Sequence, residues 1–163
     1  MIRKASFAPV VRADTRVLVL GSLPGERSLA EGRYYAHPRN LFWQLLGPVL
    51  GVDLAALEYR RRLEALLDGG IGLWDTVASA RREGSLDASL RAVEGNPLSD
   101  LVQRLPRLRA VAFNGKAAAR IGSPQMAQSG IARIVLPSSS PAHAAVSQAD
   151  KAQAWLALRE FLA

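Results

Sequence analysis

Short apolar runs alternate along this chain with longer amphipathic stretches. Arg16 to Gly21 (RVLVLG) is apolar, rich in branched residues and closed by glycine, which predicts a buried strand. From Pro38 the spacing becomes helical, with Leu41, Phe42, Leu45, Leu46 and Val49 on one stripe and Pro38 suited to a first turn. Ala55 to Leu67 predicts a second helix. Leu57, Leu63, Leu66 and Leu67 would face inward, Arg60-Arg61-Arg62 outward, and Gly69-Gly70 would stop it. Ile71 to Val77 (IGLWDTV) predicts a second strand running into a loop, and the polar stretch from Arg81 to Asn96 a long connection. Leu98 to Leu105 predicts a short helix capped by Asn96, with Pro97 at its first position. Arg109 to Phe113 is a third strand, Lys116 to Ile121 begins another helix, and Ile131 to Leu136 is a fourth strand. Gln148 to Leu162 closes the chain as an amphipathic helix with Trp155, Leu156, Leu158 and Phe161 on its apolar side.

Strands separated by helices in this order predict an α/β fold. The expected form is three-layer α/β/α around a central, mainly parallel four-stranded sheet, built as one domain over residues 1–163. Such sheets bind ligands in the loops beyond the carboxyl ends of their strands. Here those loops are residues 21–40, 75–96, 114–116 and 137–143, and the unusual residues of the chain fall in them.

Composition narrows the chemistry. The 163 residues suit one domain with a real core, and 49% hydrophobic against 21% charged residues is an ordinary globular balance. No apolar run approaches the roughly 18 residues of a membrane span, and Met1-Ile2-Arg3-Lys4 leads into no secretory h-region, so a cytoplasmic location is expected. The absence of cysteine excludes disulfides and thiolate-held iron–sulfur clusters. With only His37 and His143 as imidazoles, no metal site is expected. A net charge of +7 and a pI near 10.7 favour a polyanionic partner, although an Arg-rich solvated surface has the same composition.

Familiar motifs fail. Asn114-Gly115-Lys116 is no phosphate loop, because Ala110 stands where the first glycine should be and Ala117 where magnesium needs Ser or Thr. Gly70-Ile71-Gly72 lacks the third glycine of a dinucleotide fingerprint, and there is no G-x-S-x-G elbow. Ser138, Ser139 and Ser140 stand near His143, but no carboxylate is evidently placed to complete a triad.

Three segments remain: GSLPG (21–25) followed by YYAHPRNLFW (34–43), FNGK (113–116), and LPSSSPAH (136–143). Together, and in this order along nearly the whole chain, they resemble the hypoxanthine-DNA glycosylase branch of the uracil-DNA glycosylase superfamily. The mismatch-specific uracil/thymine glycosylases are close relatives of that branch. The first segment is long and specific, whereas the other two alone would be weak.

The resemblance implies a cofactor-independent enzyme that flips a damaged base out of DNA and hydrolyses its glycosidic bond. By resemblance Tyr35 stacks on the flipped base, a contact worth roughly 1–3 kcal/mol. Ser22, Leu23 and Pro24 lie where backbone N–H groups can grip the base edge or a phosphate, although a tight turn has the same glycines. Asn114 offers donor and acceptor to a purine edge, and an ordinary turn Asn reads almost as well. Ser138, Ser139 and Ser140 would bracket the nucleotide. Arg39 and Lys116 are the best-placed cations for phosphates, and His143 stands where it could meet phosphate or the leaving base. Many mismatch-specific relatives hold the attacking water with a first-loop Asn; Leu23 stands there instead. The resemblance carries the water role to Asn40, whose alternative is a loop hydrogen bond to backbone. Asp75 is the backup, with a helix-capping Asp as its competing role.

The expected activity is release of a deaminated base, hypoxanthine favoured and uracil possible, leaving an abasic site, by a monomer without metal or cofactor. No lyase activity is expected from a chain whose lysines are Lys4, Lys116 and Lys151. Two other readings stay open: a non-catalytic nucleic-acid-binding protein on the same fold, and a hydrolase of small nucleosides.

Overall fold

A computed structural model describes residues 2–126 and 130–163. The four expected strands form one parallel sheet. They are β2 (Val17–Gly21), β3 (Ile71–Asp75), β6 (Ala110–Asn114) and β7 (Ala132–Leu136), in the spatial order β3-β2-β6-β7. All three pairings are parallel, with Val17 opposite both Ile71 and Ala110. β2 reads as continuous apolar sequence because both its faces are covered. Val17 and Val19 join Ile71, Leu73, Ala110 and Ala112 in one core layer, and Leu18 and Leu20 join Val111 and Phe113 in the other.

The first layer is closed by α2 (Phe42–Leu50), α3 (Tyr59–Asp68) and α6 (Gln148–Leu156). They supply Phe42, Leu45, Leu46, Leu66 and Trp155. The opposite layer is closed by α4 (Leu98–Gln103) and α5 (Lys116–Gly122), with Leu98, Leu101 and Ala118. The short α1 (Glu26–Glu31) follows the first loop.

Several boundaries differ from the sequence pattern, each for a local reason. The expected helix from Ala55 is a 3-10 turn at Leu54–Ala56 followed by α3, and Leu54 rather than Leu57 is the fully buried residue of that turn. Arg62 does not lie with Arg60 and Arg61 in solvent. Its guanidinium donates to the carbonyls of Ala55 and Leu57 and stacks over Trp43. Pro38 sits in a turn, and α2 starts at Phe42. The closing helix tightens into 3-10 geometry over Ala157–Phe161. Asn96 does not cap α4 with its side chain; its Nδ2 donates to the carbonyls of Asp75 and Val77.

The largest difference concerns the expected long connection. β1 (Arg3–Ala5), β4 (Val77–Arg81) and β5 (Arg91–Gly95) form a second, antiparallel sheet in the order β1-β4-β5. β5 is exposed along its whole length and pairs with β4 through register shifts, so no apolar alternation marks it. The segment from Arg82 to Leu90 is thereby brought over the carboxyl end of β2.

Candidate active site

The sheet changes direction of winding at β2. The chain passes from β2 outward to β3 and later returns to the other side of β2 as β6. Ligand crevices form at such a switch point, outside the carboxyl ends of the two strands. A cavity of about 110 Å³ lies there. The ends of β2, β3 and β6 contribute Gly21, Asp75 and Asn114, and the loops contribute Ser22, Leu23, Pro24, Tyr35, Asn40 and Ser138 to Ser140. Ten of the predicted site residues therefore meet in one place. Lys116 and His143 stand instead on a larger, open groove of about 550 Å³, which shares Ser85, Asp87, Asn114, Ser138 and Ser140 with the cavity. Arg39 is exposed and lines neither.

The first loop is held rigidly. Leu23 is buried against Val77 and Ala80, which makes it a packing residue as well as a wall of the cavity. The Leu23 and Pro24 carbonyls accept from Arg82, whose side chain is only 1% exposed and also donates to Gly84 O. The Ser22 hydroxyl donates to Asp87 Oδ2 at 2.6 Å, and the Glu26 N–H donates to Ser85 Oγ at 2.8 Å. Arg82, Ser85 and Asp87 were invisible to sequence reasoning because they lie in a polar stretch without periodicity. An arginine just past an apolar strand end was the one available signal.

Tyr34 and Tyr35 differ sharply. Tyr34 is buried and its hydroxyl donates to Ala8 O, as a core tyrosine does. Tyr35 adopts φ 52°, a left-handed conformation uncommon for a residue with a Cβ and frequent at functional sites. Its ring stacks on Phe42 with centroids 3.7 Å apart and 9° between planes. One ring face is thus covered, and only the other face or the edge is left for a ligand. Burial, followed by the charge of Asp75, raises the Tyr35 hydroxyl above its ordinary range, so it stays neutral.

Asn40 Oδ1 accepts the Phe42 N–H at 3.0 Å. The asparagine therefore does fasten its own loop, as its alternative reading held, and it lines the cavity as well. His37 Nδ1 accepts the Arg39 N–H. Asn114 is heavily engaged: Nδ2 donates to Ser139 Oγ and Tyr35 Oη, and Oδ1 accepts the Ser139 N–H. It ties the end of β6 to the serine loop. Ser139 is buried, whereas the Ser138 and Ser140 hydroxyls accept from backbone N–H groups two residues ahead. Lys151 Nζ anchors the far side of this loop by donating to His143 O at 2.6 Å, and Trp155 Nε1 donates to Pro137 O.

Asp75 caps no helix. It ends β3, is 3% exposed, and its Oδ2 is buried without a hydrogen-bond partner among the described residues. Burial first, then the charge of Asp87, push its carboxyl up to about 7, with Arg82 pulling the other way. No cluster of three metal-ligating side chains occurs among the described residues.

A family model for the uracil DNA glycosylase superfamily matches residues 8–160. The chain belongs to that superfamily. Within it, a Methanosarcina barkeri hypoxanthine DNA glycosylase is 45% identical over 115 residues, covering 71% of this chain and 73% of the relative. A Methanosarcina acetivorans hypoxanthine DNA glycosylase is 39% identical over 140 residues, covering 86% and 88%. The solution structure of a candidate uracil DNA glycosylase from Methanosarcina acetivorans superposes with a TM-score of 0.89 at 36% identity over 99% of both chains. The superfamily resemblance drawn from the three sequence segments and the three-layer fold around a four-stranded parallel sheet both stand.

Proposed function

We propose that this DNA glycosylase releases hypoxanthine from DNA, with uracil as a second substrate, and leaves an abasic site. The observation that carries the reading is the pairing of a small cavity at the β2/β6 switch point with an open groove beside it. A base extruded from a duplex needs a pocket for the base and a path for the strand, and the two spaces share Ser85, Asp87, Asn114, Ser138 and Ser140. The two relatives named hypoxanthine DNA glycosylases support hypoxanthine over uracil.

In this reading the base enters the cavity against Tyr35, beside the backbone of Ser22, Leu23 and Pro24. Asn114 positions rather than reads: it holds Ser139 and the Tyr35 hydroxyl in place. Ser138 and Ser140 face the strand at the cavity mouth, and Lys116 and His143 meet phosphates along the groove, with Arg39 as an outlying cation. Asn40 orients the attacking water. Its Oδ1 is fixed by the Phe42 N–H, which sets the direction of the remaining amide. Departure of the base leaves positive charge on the sugar, as in other glycoside cleavages, and an oriented dipole is enough to aim water at C1′. The protein is proposed to work as a cytoplasmic monomer, without metal or cofactor; no helix among the described residues is long and apolar enough to cross a membrane.

Base release from duplexes carrying deoxyinosine, deoxyuridine, deoxyxanthosine or mispaired thymidine tests the assignment. Inosine is expected to be cleaved fastest, in the presence of chelator. Asn40→Ala should lower the single-turnover rate by about 100-fold or more, the usual scale for losing one oriented polar group, while duplex binding persists. Tight binding without cleavage of any duplex would replace the enzyme by a non-catalytic DNA-binding protein.

A further inference from the structure

The antiparallel sheet carries a charge pattern that its own folding does not call for. Arg3 of β1 stands opposite Arg81 of β4, and Arg81 stands opposite Arg91 of β5. Side chains directly opposite share one face of a sheet with Cβ atoms about 4.5–5.5 Å apart, and like charges so placed destabilise it. Arg3 is paired with Glu94 at 3.3 Å and donates to Ser79 Oγ and Ala92 O. Arg81 and Arg91 are exposed, and no carboxylate pairs with either among the described residues. Arg91 donates to the carbonyl of Leu90, its chain neighbour, which balances no charge. The backbone is bent to hold this pairing. From Ser79–Glu94 to Arg81–Arg91, β4 advances two residues and β5 three. The extra residue makes a bulge, a device that re-aims side chains. Within it Ala92 takes φ 52°, a left-handed angle uncommon for a residue with a Cβ. Continued from Ser79–Glu94 without the bulge, the register would set the neutral Ala92 opposite Arg81.

The place of the pair gives it a partner. Arg81 and Arg91 flank the loop from Arg82 to Leu90 at its base, and Ser85, Leu86, Asp87 and Ala88 of that loop form one wall of the open groove. The chain from Ser85 back to Arg81 reaches at most about 14 Å. Duplex DNA carries one charge per about 1.7 Å of its axis, so a duplex seated in the groove passes several phosphates within that reach. We infer that Arg81 and Arg91 together clasp a backbone phosphate of duplex DNA outside the groove, behind the wall formed by Ser85 to Ala88. This rests on the DNA glycosylase reading above and adds to it a second contact surface, separate from Lys116 and His143. Guanidinium forks match phosphate oxygens in bidentate fashion, and a phosphate between the two offsets the repulsion that the register builds in. A backbone contact carries no base preference. It favours DNA long enough to leave the groove over a fragment that ends inside it.

The test compares Arg81→Gln/Arg91→Gln with Arg104→Gln/Arg107→Gln, which removes the same charge from exposed positions before β6, at the amino-terminal edge of the parallel sheet. Binding of an undamaged duplex is followed across a salt series. Inosine release is timed in single turnover from a long duplex and from a short single strand that fills only the cavity and the groove. In Arg81→Gln/Arg91→Gln the slope of log affinity against log salt should fall by about one, and affinity at about 0.1 M salt by about tenfold. Release from the duplex should slow at limiting enzyme and match the wild type at saturating enzyme, and release from the short strand should not change. Arg104→Gln/Arg107→Gln should keep the wild-type values throughout. Arg81→Lys/Arg91→Lys retains the charge and should restore the slope. Because opposed charges are removed, Arg81→Gln/Arg91→Gln should melt no lower than the wild type. An unchanged slope overturns the inference, and so does an equal fall in Arg104→Gln/Arg107→Gln, which would make the attraction diffuse. A lowered melting temperature with Arg81→Lys/Arg91→Lys binding as weakly as the Gln pair also overturns it, because the arginines would then serve the sheet. If the wild type releases no base from any substrate, the glycosylase reading fails alone, and the salt series still decides the role of Arg81 and Arg91.

Discussion

At Gly21 the demands of fold and site meet on one atom that is not there. The glycine ends β2 in ordinary strand pairing, so its value lies in the missing side chain and not in a special backbone angle. A Cβ here would stand 2.6 Å from Asp75 Oδ1 and 3.1 Å from the Tyr35 hydroxyl. Both groups are short of room to retreat: Asp75 is buried in β3, and the Tyr35 ring is stacked on Phe42. Gly21→Ala should therefore cost about 1–3 kcal/mol of stability, the usual price of overpacking, and should reduce base release more than duplex binding. Chemical denaturation and single-turnover kinetics on the same preparation would separate the two effects. Equal loss of binding and cleavage would mean that the collision is relieved outward, into the first loop. The GSLPG segment drew attention to this glycine through its neighbours, but the reason for it could be read only from residues 14 and 54 positions away in the chain.

Among the elements, the contrast between β2 and β5 shows what a sequence makes legible. β2, β3 and β6 are covered on both faces, so hydrophobicity alone marks them, and the parallel order follows from the helices between them. β5 buries nothing and is held by backbone pairing to an irregular β4, so burial leaves no trace in its composition. The same holds for the site. Ser22, Tyr35, Asn40, Asn114 and the serine loop lie at strand ends, where topology alone directs attention. Arg82 and Asp87 arrive through the antiparallel excursion and could not be placed without it. Yet this excursion fastens the first loop. Arg82→Met keeps much of the side-chain volume but leaves the Leu23 and Pro24 carbonyls without their donor and Asp87 without its cation. Buried acceptors stripped of a partner cost about 1–3 kcal/mol each. The variant should melt at a lower temperature and lose cleavage through a raised KM as the first loop loosens. An unchanged melting temperature would show that water or another side chain replaces the guanidinium.

For the whole molecule the relevant quantity is the +7 charge and where it acts. Charge reports on partners and not on fold, so the superfamily membership does not by itself show that the open groove carries a strand. The groove holds Lys116 at the start of α5 and His143 in the loop before α6. Arg107 precedes β6 and therefore lies at the opposite, amino-terminal edge of the sheet, exposed to solvent. Phosphate contacts release counterions, and each one adds about 0.9 to the slope of log affinity against log salt on duplex DNA. If the strand follows the groove, Lys116→Ala should reduce that slope by about one and weaken binding equally for damaged and undamaged duplexes. Arg107→Ala should leave the slope unchanged, although it removes the same net charge. The comparison holds overall charge constant and varies only position, which is what distinguishes a binding track from a merely basic surface. Equal effects from the two substitutions would make the attraction a diffuse property of the surface. A slope near zero for the wild type would point instead to a small nucleoside as the substrate, with the cavity sufficient by itself and the groove left without a strand to guide.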